Sequence, residues 1–130
     1  MTTTQGPLAG KKVLVTGVAN DQSIAWGCAA AFKALGAELA ITYLNDKART
    51  YVEPLAQSVG ASLLLPLDVT QPGALEAVFD AVNERWGVLH AALHSIAYAP
   101  KADLQGRLVD CSAAGFGMAM DVSCHSFIRM

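Results

Sequence analysis

The residues that most clearly suggest a binding function are a glycine and a serine on either side of a short loop near the amino terminus. Gly17 follows the apolar segment Lys12–Thr16, and Ser23 begins an alanine-rich stretch that has Gly27 one turn in. A strand that ends on glycine and passes into a helix with serine at its start directs free backbone amides at one point. The positive end of the helix dipole lies at the same point. This segment therefore predicts a phosphate-binding turn and, with it, a nucleotide site.

One alternative stays open for this turn, because an ordinary helix after a strand also begins with a capping serine. The spacing is not the GxGxxG fingerprint of dinucleotide-binding proteins, so that motif is not claimed. On the nucleotide interpretation, Gly17 lets the backbone approach a pyrophosphate closely. Ser23 then offers a hydroxyl and, together with Ile24, the first amides of the helix.

Two later segments would complete such a site, since each closes a predicted strand and ligands of such folds bind beyond the carboxyl ends of strands. The Asp68 carboxylate would accept from an adenine amino group, and the Val69 amide would donate to a ring nitrogen. The alternative is an aspartate that caps the following turn. Ser95–Pro100 brings small residues to a strand end, where a flat ring would lie against the backbone. The alternative there is a plain strand end before a loop.

The end of the second predicted strand bears on the choice of dinucleotide. An acidic residue there ordinarily binds the adenosine ribose, whereas this chain has Leu44 and Asn45, with Asp46 beyond. No arginine stands at the strand tip to hold a 2′-phosphate, although Lys47 and Arg49 are close. The pattern favours NADH over NADPH.

The histidines predict no metal site. His90 and His94 have the i,i+4 spacing that suits a metal on a helix, but on the predicted strand they stand about 13 Å apart. His125 falls on the last predicted helix, where a packed or hydrogen-bonded side chain is expected rather than a catalytic base.

The elements that position these residues follow a steady rhythm. Strand-like segments begin near residues 12, 38, 62 and 88, at spacings of 26, 24 and 26, with helix-like segments between them. This alternation predicts right-handed βαβ crossovers. The expected fold class is α/β, a Rossmann-like doubly wound parallel sheet of strand order 3-2-1-4 in a three-layer α/β/α arrangement.

Local signals set the expected boundaries of the elements. The predicted strands are Lys12–Thr16, Glu38–Leu44, Ser62–Val69 and Val88–Ala97. The predicted helices are Ser23–Leu35, one that starts at Asn45-Asp46, one from Thr70 and Pro72 to about Trp86, and one from Asp110 or Ser112 to Met130. Gly36 is expected to cap the first helix. Pro54 is expected to kink the second helix or to delay its start.

The last strand and the last helix are unusually apolar. The fourth predicted strand is apolar on both faces, as in the middle of a sheet. Phe116, Met120, Ser123, Phe127 and Met130 share one helix face, and most of that helix's circumference is apolar. We expect residues 10–130 to be the N-terminal part of a single dinucleotide-binding domain that is incomplete at its C-terminus. The alternative is a small four-stranded protein that covers these surfaces by dimerising.

Composition excludes several classes of function. Apolar residues make up 53% and charged residues 15%, and the net charge is −2 without a basic stripe, so nucleic acid is not an expected partner. No apolar run reaches the length of a membrane span. The flexible lead-in predicted at residues 1–9 lacks the features of a secretory signal. Cys28, Cys111 and Cys124 are scattered, which fits reduced thiols in the cytoplasm.

Taken together, four motifs are more specific than any one of them: TGVANDQSIAWG, LDV, HSIAYAPK and DVSCHSF. They resemble the bacterial NADH-dependent enoyl-acyl-carrier-protein reductases, a divergent branch of the short-chain dehydrogenase/reductase family. The resemblance runs from Leu8 to Met130. The G-x5-S-x-A-x-G spacing is characteristic of that branch and differs from the TGxxxGxG of ordinary short-chain dehydrogenases.

The resemblance implies a set of binding residues. The cofactor would be bound by Gly17, Ala19, Ser23, Ile24, Leu44, Asp68, Val69, Ser95, Ile96 and Ala97. The acyl substrate would contact Ala99 and Leu104. Many members of the family have glycine where this chain has Ala97, and the added methyl would narrow the space beside the nicotinamide.

The implied activity is transfer of hydride from NADH to the double bond of a trans-2-enoyl thioester on acyl carrier protein, in fatty-acid biosynthesis. The resemblance also implies a homotetramer. The family's Tyr-x6-Lys pair is expected beyond Met130, and neither Tyr43 nor Tyr98 lies in that motif, so no catalytic residue is assigned in this chain. Two alternatives stay open: a carbonyl-reducing short-chain dehydrogenase, and a non-catalytic nucleotide-binding fragment.

Overall fold

The structure is a computed structural model that describes residues 6–130. The chain divides into two compact units, one that ends at Ser95 and one that spans Ile96–Met130. The first unit alternates strands and helices: β1 Lys12–Val15, α1 Ile24–Ala34, β2 Glu38–Tyr43, α2 Asp46–Ser58, β3 Leu63–Pro66, α3 Ala74–Trp86 and β4 Ala91–Leu93. The expectation of one domain over residues 10–130 stays a prediction.

The four strands form a parallel sheet of order β3-β2-β1-β4, which confirms the predicted topology. In the register, Val13 lies beside Leu39 on β2 and beside Ala91 on β4. Because all four strands run in the same direction, their carboxyl ends meet at one edge of the sheet. That edge carries every segment that the sequence marked as a nucleotide contact in this unit.

Strand residues alternate between two apolar layers. Val13, Val15 and Ile41 share one buried cluster with Ala25 and Ala29 of α1 and with residues of α2. Residues of the opposite parity, such as Leu14 and Ala40, are also fully buried. Right-handed crossovers place α3 on that second face, and α3 buries Leu75, Val78 and Val82. The sheet is therefore the middle of three layers.

The start of the second helix partly corrects the sequence prediction. Asn45 does cap α2, since its Oδ1 accepts from Ala48 N at 3.0 Å. The helix begins directly after this cap, at Asp46, and Pro54 lies inside it. The expected late start is therefore wrong: the cap and the first two turns form before the proline, whose missing N–H affects only a later turn.

The start of the third helix is also displaced from its prediction. Asp68 Oδ1 accepts from both the amide and the hydroxyl of Thr70, at 2.9 and 2.6 Å. Gly73 then adopts a φ of 79° before α3 begins at Ala74. Thr70 and Pro72 belong to this turn, because the aspartate side chain engages the backbone that a helix would otherwise use.

All four strands are shorter than predicted: β1 and β2 each end one residue early, and β3 and β4 differ by more. β3 ends at Pro66, which has no N–H to donate to a ladder and stands on an edge strand of this sheet. β4 contains only Ala91–Leu93 and pairs with β1. It is the other edge of the four-stranded sheet, and Ala91 and Ala92 are exposed.

Part of the predicted N-terminal lead-in is described. Residues 1–5 lie outside the described residues, whereas residues 7–10 form a turn. The Leu8 amide donates to Leu35 O at 2.9 Å, and the Leu8 side chain packs against the buried cluster. These contacts attach residue 8 to the end of α1.

The second unit contains short helical turns and one longer helical run. Its elements are 3₁₀ turns at Lys101–Leu104 and Leu108–Asp110, α4 Ala113–Met120, a π-helical segment Asp121–His125, and α5 Ser126–Arg129. Ser112 caps α4 by accepting from Gly115 N at 3.0 Å, which confirms one of the two predicted caps. The π segment was not predicted. Within residues 6–130, no helix combines the length and the apolarity that crossing a membrane requires.

Candidate functional site

The turn after β1 is held to the neighbouring strand by a buried threonine. Thr16 donates to Leu93 O through both its amide, at 3.0 Å, and its hydroxyl, at 2.8 Å. Gly17 follows with a φ of 85°, a left-handed conformation that strongly favours glycine. The chain therefore leaves the sheet in a fixed direction, at a position where no side chain blocks the backbone.

Ser23 stands at the N-cap position of α1 but does not cap the helix with its side chain. Its hydroxyl donates to Asn20 O at 2.7 Å and accepts from Ala19 N at 3.4 Å. Asn20 Oδ1 in turn accepts from Gln22 N at 2.8 Å. The expectation of a serine-capped helix is wrong in this respect, because the tight loop offers the hydroxyl a carbonyl at shorter range. Ser23 fixes the shape of the loop instead.

The first turn of α1 consequently presents unoccupied donors. The Trp26 and Gly27 amides donate to Ser23 O, while the amides of Ile24 and Ala25 have no acceptor within residues 6–130. The first turn contains no acidic residue. The positive end of the helix dipole and the free amides attract a pyrophosphate, and Gly17 has no side chain that would keep it from the backbone. Ile24 is 81% exposed directly beside these amides and offers an apolar surface to a ring or ribose.

The end of β2 and the start of α2 carry an exposed leucine and charged side chains. Leu44 is 55% exposed and can cover one side of an adenosine. Asn45 places its side-chain oxygen over the start of α2, and Asp46 adds a carboxylate to the first turn. Arg49 forms an ion pair with Glu53, with Nη2 and Oε1 3.3 Å apart. The Glu53 carboxylate raises the pKa of the Arg49 guanidinium, chiefly by its hydrogen bond.

The end of β3 presents one free carboxylate oxygen. Asp68 uses Oδ1 in the turn with Thr70, which is the capping role that the sequence left as an alternative. Its Oδ2 has no hydrogen-bond partner in the described part of the chain and would be the atom to accept from an adenine. Val69 is buried, at 4% exposure.

The remaining predicted residues lie at the junction of the two units and in the second unit. Ser95 is half-buried and ends the first unit, and Ile96 and Ala97 begin the second. Ala97, Ala99 and Leu104 line a cavity of about 450 Å³ within the second unit. The structure thus brings both predicted substrate residues to one cavity.

Sequence reasoning missed most of the wall of this cavity. The further lining residues are Tyr98, Phe116, Ala119, Met120 and Ser123. Ser123 Oγ accepts from Tyr98 N at 3.0 Å and donates to Tyr98 O at 3.1 Å, so it clamps the loop to the helix. The available signal was the shared helix face of Phe116, Met120 and Ser123, which the sequence indicated without showing what it faces.

His90 and His125 form hydrogen bonds to neighbouring residues. His125 Nδ1 is 3.1 Å from Asp121 Oδ1, one turn apart in the π segment, as expected for a hydrogen-bonded side chain. His90 Nδ1 accepts from Lys12 N at 3.0 Å. Among residues 6–130 there is no group of three potential metal ligands.

One ion pair stands at the amino ends of the strands, opposite the candidate site. Lys12 Nζ on β1 contacts the Glu38 carboxylate on β2. The hydrogen bond from Lys12 is the largest cause that lowers the pKa of Glu38, partly offset by burial. Lys12 also lies over the Trp86 ring, 5.7 Å from its centroid. These contacts join neighbouring elements at the end of the sheet opposite the carboxyl ends of the strands, where the candidate site lies.

A doubly wound parallel sheet whose first turn offers a left-handed glycine and free helix amides defines a dinucleotide-binding α/β protein. The comparisons with known proteins specify the family. The family model for enoyl-(acyl carrier protein) reductase matches residues 17–130. The chain therefore belongs to the enoyl-acyl-carrier-protein reductase family.

Individual relatives agree with this assignment. The chain is 42% identical over 127 residues to enoyl-(acyl-carrier-protein) reductase (NADH) 1 of Rhizobium meliloti, which covers 98% of this chain and 47% of that protein. It is 42% identical over 125 residues to the FabI enzyme of Aquifex aeolicus, covering 96% of this chain and 46% of the relative. The chain thus spans about half the length of the curated relatives it matches.

Solved structures share the fold. The enoyl reductase of Anaplasma phagocytophilum in complex with NAD has a TM-score of 0.89 at 43% identity, covering 93% of this chain and 46% of that one. The Bacillus cereus enzyme with NADP⁺ and an indole naphthyridinone has a TM-score of 0.90 at 39% identity, covering 95% and 49%. The Rossmann-like fold class predicted from the sequence is confirmed.

Proposed function

We propose that this chain forms the dinucleotide-binding part of an NADH-dependent enoyl-acyl-carrier-protein reductase of fatty-acid biosynthesis. The observation that carries the proposal is the turn between β1 and α1, which contains the left-handed Gly17 and leads to two helix amides that have no acceptor within residues 6–130. Membership of the family supports the choice of reaction. The Rhizobium and Aquifex relatives are named as NADH enzymes, and we extend that cofactor to this chain.

The proposed roles follow from the geometry at the edge of the sheet. Gly17 lets the backbone approach the pyrophosphate, and the amides of Ile24 and Ala25 donate to it. Ser23 acts through the loop, since its hydroxyl holds Ala19 and Asn20 in place. Asp68 accepts from the adenine through its free oxygen. Leu44 packs beside the adenosine, and Val69 contacts the adenine ring next to Asp68 through its backbone.

The nicotinamide, when bound, supplies the hydride that reduces the enoyl double bond. Ser95, Ile96 and Ala97 would border it with small or apolar side chains. The apolar cavity in the second unit would take the acyl chain, with Ala99 and Leu104 in contact and Phe116 excluding water from one side. The thioester of acyl carrier protein would be the natural form of this substrate.

The chain carries no assigned catalytic acid or base. No tyrosine in residues 1–130 is followed by a lysine at the spacing of the family's Tyr-x6-Lys pair. We therefore propose that the 130 residues alone bind NADH without turnover, and that the pair belongs to the rest of the enzyme. The cytoplasm is the proposed compartment, on the basis of the three scattered cysteines.

A homotetramer is the proposed assembly. The support is the apolar surface of the last helical run, where Met118, Phe127 and Ile128 are exposed in the single chain. Surfaces of this kind are typical of contacts with another protein. Sedimentation velocity would check this assembly.

The test of the function uses a crotonyl thioester and a panel of ketones with the full-length protein, while NADH binding is measured by calorimetry on the 130-residue chain. The proposal predicts NADH binding by the chain and NADH oxidation with the enoyl thioester only. Reduction of ketones would support the carbonyl-reducing alternative. Absence of NADH binding would contradict the proposal as a whole.

A further inference from the structure

The choice between NADH and NADPH depends on the end of β2, and the inference that follows rests on the proposed function. The 2′-hydroxyl of the adenosine ribose lies near the carboxyl end of this strand in doubly wound folds, and an arginine close by accommodates a 2′-phosphate. Two cations stand in the first turn and a half of α2, Lys47 and Arg49. Their positions on the helix separate them.

Arg49 is the cation on the strand side of α2. Its Cζ lies 5.9 Å from the centroid of the Tyr43 ring, and Tyr43 is the last residue of β2. Lys47 is two residues earlier, about 200° away around the helix, so it projects from another side. Arg49 is therefore the residue placed to meet a 2′-phosphate.

The guanidinium of Arg49 is already engaged. Glu53 holds Nη2 from one turn further along the helix, away from the strand end. Asp46, one turn earlier on the same face, adds a second carboxylate, and both acids contribute to the raised pKa of Arg49. A 2′-phosphate that bound the Arg49 guanidinium would compete with Glu53 for Nη2 and would be repelled by the Asp46 carboxylate.

We propose that Glu53 is a specificity-determining residue which, through its ion pair with Arg49, withholds the guanidinium from a 2′-phosphate and biases the site towards NADH. Glu53 touches no part of the cofactor. It acts by fixing the direction of a side chain that would otherwise make the site tolerant of NADPH. The effect is modest, because an exposed i,i+4 pair and a cation–π contact each contribute little.

The experiment compares dissociation constants for NADH and NADPH, from nicotinamide fluorescence at low salt, in the protein and in four variants. Glu53→Gln removes the partner, Arg49→Gln removes the cation, and the double variant removes both. Glu84→Gln is the matched control, since Glu84 is an exposed acid near the far end of α3. Circular dichroism checks that each variant folds.

Glu53→Gln is expected to tighten NADPH about two- to fivefold and to leave NADH nearly unchanged. The gain should disappear in the double variant, and Glu84→Gln should change neither constant. An unchanged NADPH-to-NADH ratio in Glu53→Gln would overturn the inference. So would an equal gain in the Arg49→Gln background, since Glu53 would then act by simple repulsion. Loss of NADH binding in the unmodified protein would instead overturn the proposed function.

Discussion

Two helices begin at the same edge of the sheet, and their first turns are built in opposite ways. At α1 the N-cap side chain turns back into its own loop, and the first helix amides have no acceptor in the part of the chain that the structure describes. At α2 the Asn45 oxygen already lies over the first turn, and Asp46 adds negative charge. Both helices have the same dipole, so the dipole alone does not make a phosphate site.

The difference lies in what the residues before and within the first turn do. Before α1, Gly17 has no side chain that would block a ligand from the backbone. The Ser23 hydroxyl, which would otherwise cap the helix, is hydrogen-bonded to Ala19 and Asn20 of the loop. α2 follows its strand after only Leu44 and Asn45, so it has no such loop. The start of α1 therefore has the features of the anion site that we propose, whereas the start of α2 is satisfied by its own side chains.

The largest expected effect comes from adding a side chain at Gly17, in the turn between β1 and α1. Gly17→Ala should weaken NADH binding more than tenfold, because the left-handed φ of 85° is strained for alanine and the loop must move. Calorimetry measures the binding, and urea unfolding measures the strain.

Gly60→Ala is the matched control for this change. Gly60 has a φ of 59° after α2, and an added Cβ would meet nothing within 4 Å. Gly60→Ala should lower the free energy of unfolding about as much as Gly17→Ala, by about 1 kcal/mol, and should leave NADH binding unchanged. Equal losses of NADH affinity in the two variants would contradict the special role of the first turn.

The second prediction converts the start of α1 into a copy of α2. Ile24→Asp puts an acid at the position that Asp46 occupies in α2, and repulsion of the pyrophosphate should weaken NADH roughly fivefold to tenfold at low salt. Ile24→Asn removes the same apolar contact without charge and should have a smaller effect. The gap between the two variants should narrow as salt is raised. Equal NADH affinities in the two variants would mean that no anion binds at the start of α1.

The third prediction separates capping from loop support. Asn45→Ala should lower the free energy of unfolding by about 1 kcal/mol, since the cap on Ala48 is lost. Ser23→Ala should change stability less, because its hydroxyl caps no amide of the helix, but should weaken NADH binding about threefold through a looser loop. Denaturant titrations and calorimetry on both variants decide this. The reverse pattern would show that Ser23 is an ordinary cap.

The smallest expected effect lies at the opposite edge of the sheet. Lys12 lowers the pKa of Glu38 in the folded state, so this pair stabilises the fold at neutral pH. The contribution is lost as pH falls below 4.5, the ordinary value for this carboxyl. Because the pair is partly exposed and screened, Glu38→Gln should cost no more than about 0.5 kcal/mol at pH 7, and this cost should shrink as pH falls below 4.5. NADH affinity should stay unchanged, and a loss would place a cofactor contact at the wrong edge.

The sequence was sufficient for the features that repeat or that depend on one residue type. Strand spacing predicted the order 3-2-1-4, and Asn45 after an apolar strand predicted the cap of α2. The direction of the Ser23 hydroxyl was not predictable, because it depends on where the Asn20 carbonyl lies once the loop has closed. The late start of α3 has a similar cause in the Asp68 side chain, and the π segment has no local signal that we recognise.

The central claim is that a diphosphate binds at the start of α1 and not at the start of α2. The most direct test is a pair of ¹⁵N–¹H titrations of the protein, one with ADP and one with adenosine, whose difference isolates the diphosphate. The account predicts that the largest differences fall on the amides of Gly17, Ile24 and Ala25, with little change at Asp46 and Lys47. Differences centred on α2, or none at α1, would contradict it.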